Sequence, residues 1–317
     1  MVNKRYINPM LAKLGDKPFN SPEWIYEIKW DGYRAIADVN KKEIRLYSRN
    51  KLSFAERYPV VIEALKKIKK NVILDGEIIA VDPTGLPSFQ LLQQYEQNKA
   101  PLVYYVFDCL YRDNKSLKEK PLLERKKILK KLLPENNIIQ YCDHIEERGV
   151  EFFMQIKKKG LEGIIAKKAD SLYYEGKRSA NWLKIKHMQT QEAVIAGYTV
   201  PEGGRKYFGS LVLGVYKRGE LSFIGHTGTG FNDQSLKEIY DKMQKLVIKN
   251  SPFKETVKIN GPVIWVKPKL VCNIKFAEIT SGKLRRIPVF LGLRIDKKAK
   301  DVHDEYHDHS IKSNTVH

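Results

Sequence analysis

The segment YEIKWDGYR, from Tyr26 to Arg34, gathers groups suited to chemistry on a phosphate: an amine at Lys29, carboxylates at Glu27 and Asp31, and a guanidinium at Arg34. If YEIKW is a strand, side chains alternate, so Glu27, Lys29 and Asp31 share one face while Tyr26, Ile28 and Trp30 pack on the other. Asp31 and Gly32 then turn the chain, and Gly32 permits a backbone geometry or a close ligand approach that a side chain would obstruct. Lys29 is a candidate nucleophile or an ion-paired edge lysine, and these nine residues alone do not separate the two. The nucleophilic role has a definite energetic cost. A lysine of pKa about 10.4 is almost wholly protonated near neutrality, a gap of about 4 kcal/mol to the reactive amine. Neighbouring cations and desolvation narrow that gap.

Other segments repeat the design. In LDGEIIAV, Asp75 and Glu77 share a strand face, and in WLKIK, Lys184 and Lys186 share one opposite Leu183 and Ile185. Unpaired ions on buried strand faces cost several kcal/mol each, which a charged ligand and a cation between them would offset. The elements that hold these groups read as α+β up to about Lys186: short apolar runs (EIRLYS, VILDGEIIAV, LVYYVFDCLY, LEGIIAKK) separated by helix-like stretches such as YPVVIEALKKIKK and LLERKKILKKLL. After His187 the texture becomes strands joined by Gly-rich turns, with one helical segment, NDQSLKEIYDKMQKLV, which predicts an OB-fold β-barrel. Two domains are therefore expected, 1–187 and 188–300, with a linker around His187 to Glu192. A polar tail over 301–317 is expected to be disordered.

The 317 residues carry 57 Lys+Arg against 37 Asp+Glu, a formal charge of +20. Such an excess points to a polyanion, with nucleic acid first and a plain solubility charge as the alternative. Basic residues are spread along the chain instead of gathered on one amphipathic segment, which argues against a membrane partner. Cys109, Cys142 and Cys272 are odd in number and widely spaced, so neither a disulfide framework nor a zinc ribbon is suggested, and a reducing cytoplasm fits. No signal peptide or membrane span is readable. His303, His307, His309 and His317 lie in the polar tail without apolar support and are not assigned to a metal.

The ordered set KWDGYR (29–34), LYSRN (46–50), LDGEI (74–78), YYVFDCLY (104–111), EGIIAKK (162–168) and WLKIK (182–186) resembles the nucleotidyltransferase motifs of ATP-dependent DNA ligases, RNA ligases and capping enzymes. The segment LRRIPVFLGLRIDKKAKDV, from Leu284 to Val302, is similar to the last motif of the bacterial and archaeal ligase D type. With GGRKYFGSLVLGVY it draws the resemblance over nearly the whole chain. Ala299 and Asp301 depart from the proline and glutamate of that pattern, which leaves the end of the motif in doubt.

The resemblance implies an adenylation domain over 1–187 that carries AMP on Lys29, passes it to a 5′-phosphate at a break in duplex DNA, and releases it when a 3′-hydroxyl attacks. By the same resemblance Glu27 serves nucleotide recognition, Arg34 and Arg49 the ribose and phosphates, and Arg178, Lys184 and Lys186 the phosphate region. Arginine suits such work because its planar fork binds phosphate oxygens bidentately. Glu77 and Glu162 are the carboxylates implied for ribose and for Mg²⁺, with Mn²⁺ as the alternative ion. Phe107 is implied to stack on adenine; without the resemblance it reads as a core aromatic. Arg294, Asp296 and Lys297 match a pyrophosphate-orienting motif. Arg285 and Arg286 are either surface cations or DNA phosphate contacts.

Too little chain precedes Trp24 for an extra amino-terminal DNA-binding domain, so a minimal, nucleoid-associated enzyme is expected, monomeric by default. A separate Ku-like end-binding protein is an implied partner. The other functional readings are an RNA ligase or capping guanylyltransferase, and an inactive DNA-binding adaptor.

Overall fold

Runs in which Ile, Val, Leu and Tyr alternate with small or charged residues form two sheets in the first of the chain's two units, Met1–His187. The computed structural model describes residues 6–201, 203–280 and 284–306. The first sheet has the strand order β1 (Leu11–Leu14), β11 (Arg178–Lys186), β10 (Gly163–Lys168), β2 (Ser21–Ile28), β9 (Ile145–Glu147). The second joins β4 (Ile44–Ser48), β3 (Tyr33–Val39), β5 (Val72–Ala80), β6 (Leu102–Arg112) and β7 (Lys115–Ser116), with β8 (Ile139–Tyr141) also on β6. Pairing is antiparallel, as expected, except that β1 lies parallel to β11 and β8 parallel to β6.

Each sheet has an apolar outer face. Outside the second, Tyr33, Ala35, Leu74, Ile78, Tyr104 and Val106 form a core with α1 (Pro59–Leu65), α2 (Phe89–Gln93), α3 (Tyr95–Asn98) and α4 (Leu122–Leu132). Outside the first, Tyr26, Ile164, Ala166 and Ile185 pack on Phe153 and Ile156 of α5 (Gly149–Lys158). A third cluster, including Ile36, Phe107, Leu110 and Trp182, draws on the opposite faces of both sheets. Residues directly opposite one another on antiparallel strands share a face. Arg34, Glu77 and Tyr105 are in register across β3, β5 and β6 and so project inward together; Glu27 and Lys184 flank Ile165 in the same way in the first sheet.

The strand carrying Glu27 ends at Ile28, one residue before Lys29, so the alternation expected through Trp30 stops early. Trp30 parts from Tyr26 and Ile28 and stacks on Tyr105, ring centroids 4.0 Å apart and 3° from parallel. Gly32 shows how the chain crosses from one sheet to the other. A Cβ there would overlap the Ile78 carbonyl oxygen, so its backbone presses directly on β5. Of the two roles open to Gly32, close approach is the one used, and it is to the protein's own main chain.

The second unit, Met188–His317, is the expected OB-fold. Its sheet has the order β14 (Glu220–Thr227), β13 (Leu211–Lys217), β12 (Gln189–Thr199), β16 (Val263–Phe276), β15 (Val247–Ile248), with β19 (Val289–Leu293) also on β16 and a small hairpin of β17 (Glu278–Ile279) and β18 (Arg285–Arg286). The inserted helix, α6 (Asp233–Gln244), starts in a capping box between Asn232 and Ser235 and buries Ile239 and Met243 in the barrel core. The polar composition after residue 300 predicts a frayed tail, and for 301–306 the structure differs. Val302 and Asp304 are buried, because the Asp304 carboxylate pairs with buried Arg285 at 2.5 Å and with Lys217 at 3.1 Å. His303 forms a bridge to Tyr216, while His307, His309 and His317 lie outside the described residues. Among the described residues no helix is long and apolar enough to cross a membrane.

Candidate active site

Lys29 is held by its main chain and met by an acid. Its N–H donates to the Gly163 carbonyl at 2.9 Å, and its ammonium pairs with the Glu162 carboxylate. The Lys29 side chain keeps 19% exposure and Glu162 keeps 9%, so the pair is sheltered yet reachable. Gly163 makes this junction possible: a Cβ there would overlap the Ile185 carbonyl oxygen, and its φ is +152°. Lys186 lies opposite Gly163 in the β10–β11 ladder, and Lys184 lies opposite Ile165. Lys29 and Glu162 thus meet at Gly163, with Lys186 opposite that glycine and Lys184 two residues along the same strand.

Glu27 is different. It is 2% exposed, with one carboxylate oxygen 2.5 Å from Lys126 Nζ and the other 2.5 Å from Lys167 Nζ. Both lysines are as buried as Glu27, so Glu27 acts as their internal counterion. Burial alone would raise the Glu27 carboxyl; the two lysines outweigh it and hold it below the usual carboxylate range. Burial opposes the Lys126 ammonium, but Glu27 more than compensates and raises it. Lys167 is pushed down, first by burial, with Glu27 opposing and Lys126 adding to the effect. One carboxylate cannot fully neutralise two buried ammonium groups; Lys167 has a further source of stabilisation. It lies 4.2 Å over the Phe107 ring and 4.3 Å over that of Trp182, whose faces offset part of the shortfall.

Arg34 sits in a closed ring of hydrogen bonds. Its Nε and one terminal nitrogen grip Asp75 bidentately at 2.5 and 2.6 Å. Tyr173 donates its hydroxyl to the same carboxylate at 2.7 Å and accepts from the Met10 N–H at 2.9 Å. Arg34 closes the circuit by donating to the Met10 carbonyl at 3.2 Å. Asp75, aided by Tyr173 and Glu77, overcomes burial and raises the Arg34 guanidinium further above its already high range. The Arg34 fork is therefore spent on Asp75, and the guanidinium lies 4.6 Å over Phe107. Phe107 itself is 8% exposed and belongs to the cluster between the sheets. Two cations lie against its ring, and Trp30 on Tyr105 forms a stacked pair that keeps partial exposure.

The remaining expected residues are less closely gathered. Glu77 is part-buried beside Arg34. Arg49 lies in the turn after β4. Arg178 opens β11, exposed, and donates to the Ala12 carbonyl at 2.7 Å on the neighbouring edge strand. In the second unit the basic groups implied for pyrophosphate are already matched by acids. Arg294 grips Asp296 through two hydrogen bonds of 2.9 Å, and Lys297 pairs with Glu192 at 2.8 Å. Burial would raise the Glu192 carboxyl, yet Lys297 and Arg294 lower it to about 2. Arg285 is wholly buried on Gln191 and Asp304, so it is a structural cation and no DNA contact. Arg286 is exposed and paired with Glu278 at 2.5 Å.

Sequence reasoning missed Lys126, Lys167, Tyr173 and Met10. Lys167 stood within EGIIAKK without an assigned role. Nothing in LLERKKILKKLL distinguishes Lys126 from its neighbouring lysines, since only the approach of α4 to β2 selects it.

Residues 9–186 match the ATP dependent DNA ligase domain, and residues 204–297 match the ATP dependent DNA ligase C terminal region. The chain is 36% identical over 310 residues to the multifunctional non-homologous end joining protein LigD of Pseudomonas aeruginosa, a match covering 95% of this chain and 37% of that protein. It is 31% identical over 293 residues to the SPbeta prophage-derived DNA ligase-like protein LigB of Bacillus subtilis, covering 92% of this chain and 100% of that one. The structure of a mycobacterial DNA ligase D complexed with ATP and MES superposes with a TM-score of 0.70 at 32% identity, over 93% of this chain and 97% of that one. The chain thus spans well under half the length of the LigD relatives it matches. The lysine and carboxylate at a glycine junction, the two-lysine strand beside them, the OB-fold that follows and these matches agree: the chain belongs to the ATP-dependent DNA ligase family.

Proposed function

We propose that this protein joins 5′-phosphate and 3′-hydroxyl ends in DNA through AMP carried on Lys29, and that it serves DNA repair, including end joining, in the cytoplasm near the nucleoid. The observation that carries this reading is the placement of Lys29 Nζ at Glu162, with Lys186 opposite Gly163 and Lys184 opposite Ile165 on the paired strand. In the first step the Lys29 ammonium releases one proton to solvent, its nitrogen forms a bond to the α-phosphorus of ATP as the bond to pyrophosphate breaks, and a second N–H proton passes to solvent to leave the neutral phosphoramidate nitrogen. Lys184 and Lys186 supply positive charge for the phosphates, which is what phosphoryl transfer needs most. Glu162 keeps the amine oriented before ATP binds. The AMP then moves to the 5′-phosphate of DNA, and the 3′-hydroxyl displaces it to seal the strand.

The site suits a divalent cation held mainly by substrate. Among the described residues no three acidic, His or Cys side chains converge, so the protein offers one or two carboxylates, the usual provision for Mg²⁺ shared with phosphates and water. Glu162 and Glu77 are the hard oxygen donors available. When bound, the ion would neutralise phosphate charge and compete with Lys29 for Glu162. A Ku-like end-binding partner is part of the same proposal and rests on the LigD likeness.

The deciding experiment is mass spectrometry of the protein after exposure to ATP and Mg²⁺, followed by a nick-sealing assay. We expect one AMP on Lys29, none in Lys29→Ala, and sealing of nicked DNA only by the unaltered protein. An unmodified Lys29 would falsify the proposal.

A further inference from the structure

At one end of the second sheet of the first unit, three loops collect positive charge that the active site does not use. The β3–β4 turn carries Lys41 and Lys42, the α1–β5 connection Lys67 and Lys69, and the start of β7, just after the β6–β7 turn, Lys115, all exposed. These five make no ion pair among the described residues. Their neighbours are only partly balanced: Lys66 pairs with Glu63 at 2.6 Å, while Lys70 and Arg112 share Asp113 at 3.9 and 3.7 Å.

The loops are tied together by one residue. The Asn71 main-chain carbonyl accepts from the Asp113 N–H at 2.7 Å, and its side-chain oxygen accepts from the Lys41 N–H at 3.3 Å. Asn40 orders the β3–β4 turn by accepting from the N–H groups of Lys42 and Glu43, each at 3.0 Å. The lysines are therefore mounted on a fixed backbone at short mutual range, an arrangement that repels itself and that a polyanion relieves. Lysine, a point charge on a flexible stem, tracks phosphates without reading bases.

We propose that this platform grips the sugar-phosphate backbone of duplex DNA to one side of the break. The inference rests on the reading of the chain as a DNA-joining enzyme, and it adds a contact that no catalytic motif contains. The sheet sets the distance. From Glu77, on the inner face beside Arg34, to Val72, at the platform, is five residues of β5, about 17 Å at ~3.3 Å per residue. The proposal takes β5 to run along the duplex axis, so that this length equals about five base pairs at ~3.4 Å per pair and the contact needs a DNA arm at least that long.

The test compares the full chain with Lys41→Gln/Lys42→Gln/Lys69→Gln and with the same three positions changed to Arg. Binding to a nicked duplex is measured against salt concentration, on long arms and on arms cut to about three base pairs on either side, each short arm closed by an uncharged linker so that it stays paired. On long arms the Gln variant should show a slope of log Kobs against log salt shallower by about two to three. The Arg variant should keep the original slope. On the shortened substrate all three proteins should coincide, and AMP loading of Lys29 should be equal in all. A thermal midpoint for the Gln variant at or above the original separates lost contact from lost folding. An unchanged slope on long arms overturns the proposal, as does an equal change on short arms. Loss of binding to phosphatidylserine vesicles with an unchanged DNA slope would assign the platform to a membrane and overturn it too. If the unaltered chain neither loads AMP nor binds the nicked duplex, the broader reading fails; if it does both, only the platform is at stake.

Discussion

At the residue scale, the site rests on buried charges that have no freedom to be lost singly. Replacing Glu27 by Gln leaves the Lys126 and Lys167 ammonium groups buried without their counterion, and breaking such a pair from one side costs about 3–5 kcal/mol. Lys167→Met leaves the one-to-one pair of Glu27 with Lys126 and puts an apolar chain between two aromatic rings, so it should cost little or stabilise. Thermal unfolding of the two variants checks the contrast; equal losses would contradict it. Tyr173→Phe removes the hydroxyl that serves both Asp75 and Met10 and should cost about 1–3 kcal/mol. Glu192 defines a pH window. Its carboxyl is lowered from 4.5 to about 2 in the folded protein, so the unfolded chain binds the proton more tightly. Its contribution is full above pH ~4.5 and is lost as the pH falls through about 2. Glu192→Gln should flatten that part of an acid-unfolding profile monitored by circular dichroism.

Elements position these residues through close backbone approach more than through side-chain fit. Gly32 lets the connection after β2 press on Ile78, and Gly163 lets Lys29 reach its carbonyl while β10 and β11 pair. A methyl group at position 32 has no space, so Gly32→Ala should displace Lys29 and cut AMP loading more than tenfold, with a smaller effect on thermal stability because the change is confined to one turn. Single-turnover mass spectrometry measures the first effect. The strands β5 and β6 were legible as short, nearly continuous apolar runs, VILDGEIIAV and LVYYVFDCLY, which is how a strand packed on both faces reads. The parallel edges, β1 on β11 and β8 on β6, were not, since pairing direction depends on the path between strands and not on their residues.

On the scale of the whole molecule, each unit has its own core, and the second is closed by its last described residues. Gln191 Nε2 donates to the His303 carbonyl at 2.9 Å, the Tyr306 hydroxyl donates to the Thr190 carbonyl at 3.0 Å, and Asp304 holds Arg285. Ending the chain after Lys300 removes the acid that neutralises a fully buried guanidinium, and should destabilise the second unit by about 3–5 kcal/mol. Asp304→Asn should reproduce most of this loss in a denaturant titration. Retention of the original midpoint in both proteins would show that the segment is not part of the barrel's support.

The sequence by itself determined the α+β and OB-fold units, the candidate nucleophile at Lys29, and the charged strand faces that meet around it. Those properties follow from local alternation and from residue types at short spacing. Only the tertiary structure decided which charges are available to a ligand. Glu27, Arg34, Arg285 and Arg294 look alike in sequence to groups that bind phosphate or nucleotide. Their partners, Lys126, Lys167, Asp75, Asp304 and Asp296, are set by strand register and helix packing, except for Asp296 two residues from Arg294. A buried ion must find its counterion wherever the fold brings one, and that choice is made in space, across separations such as the 99 residues between Glu27 and Lys126.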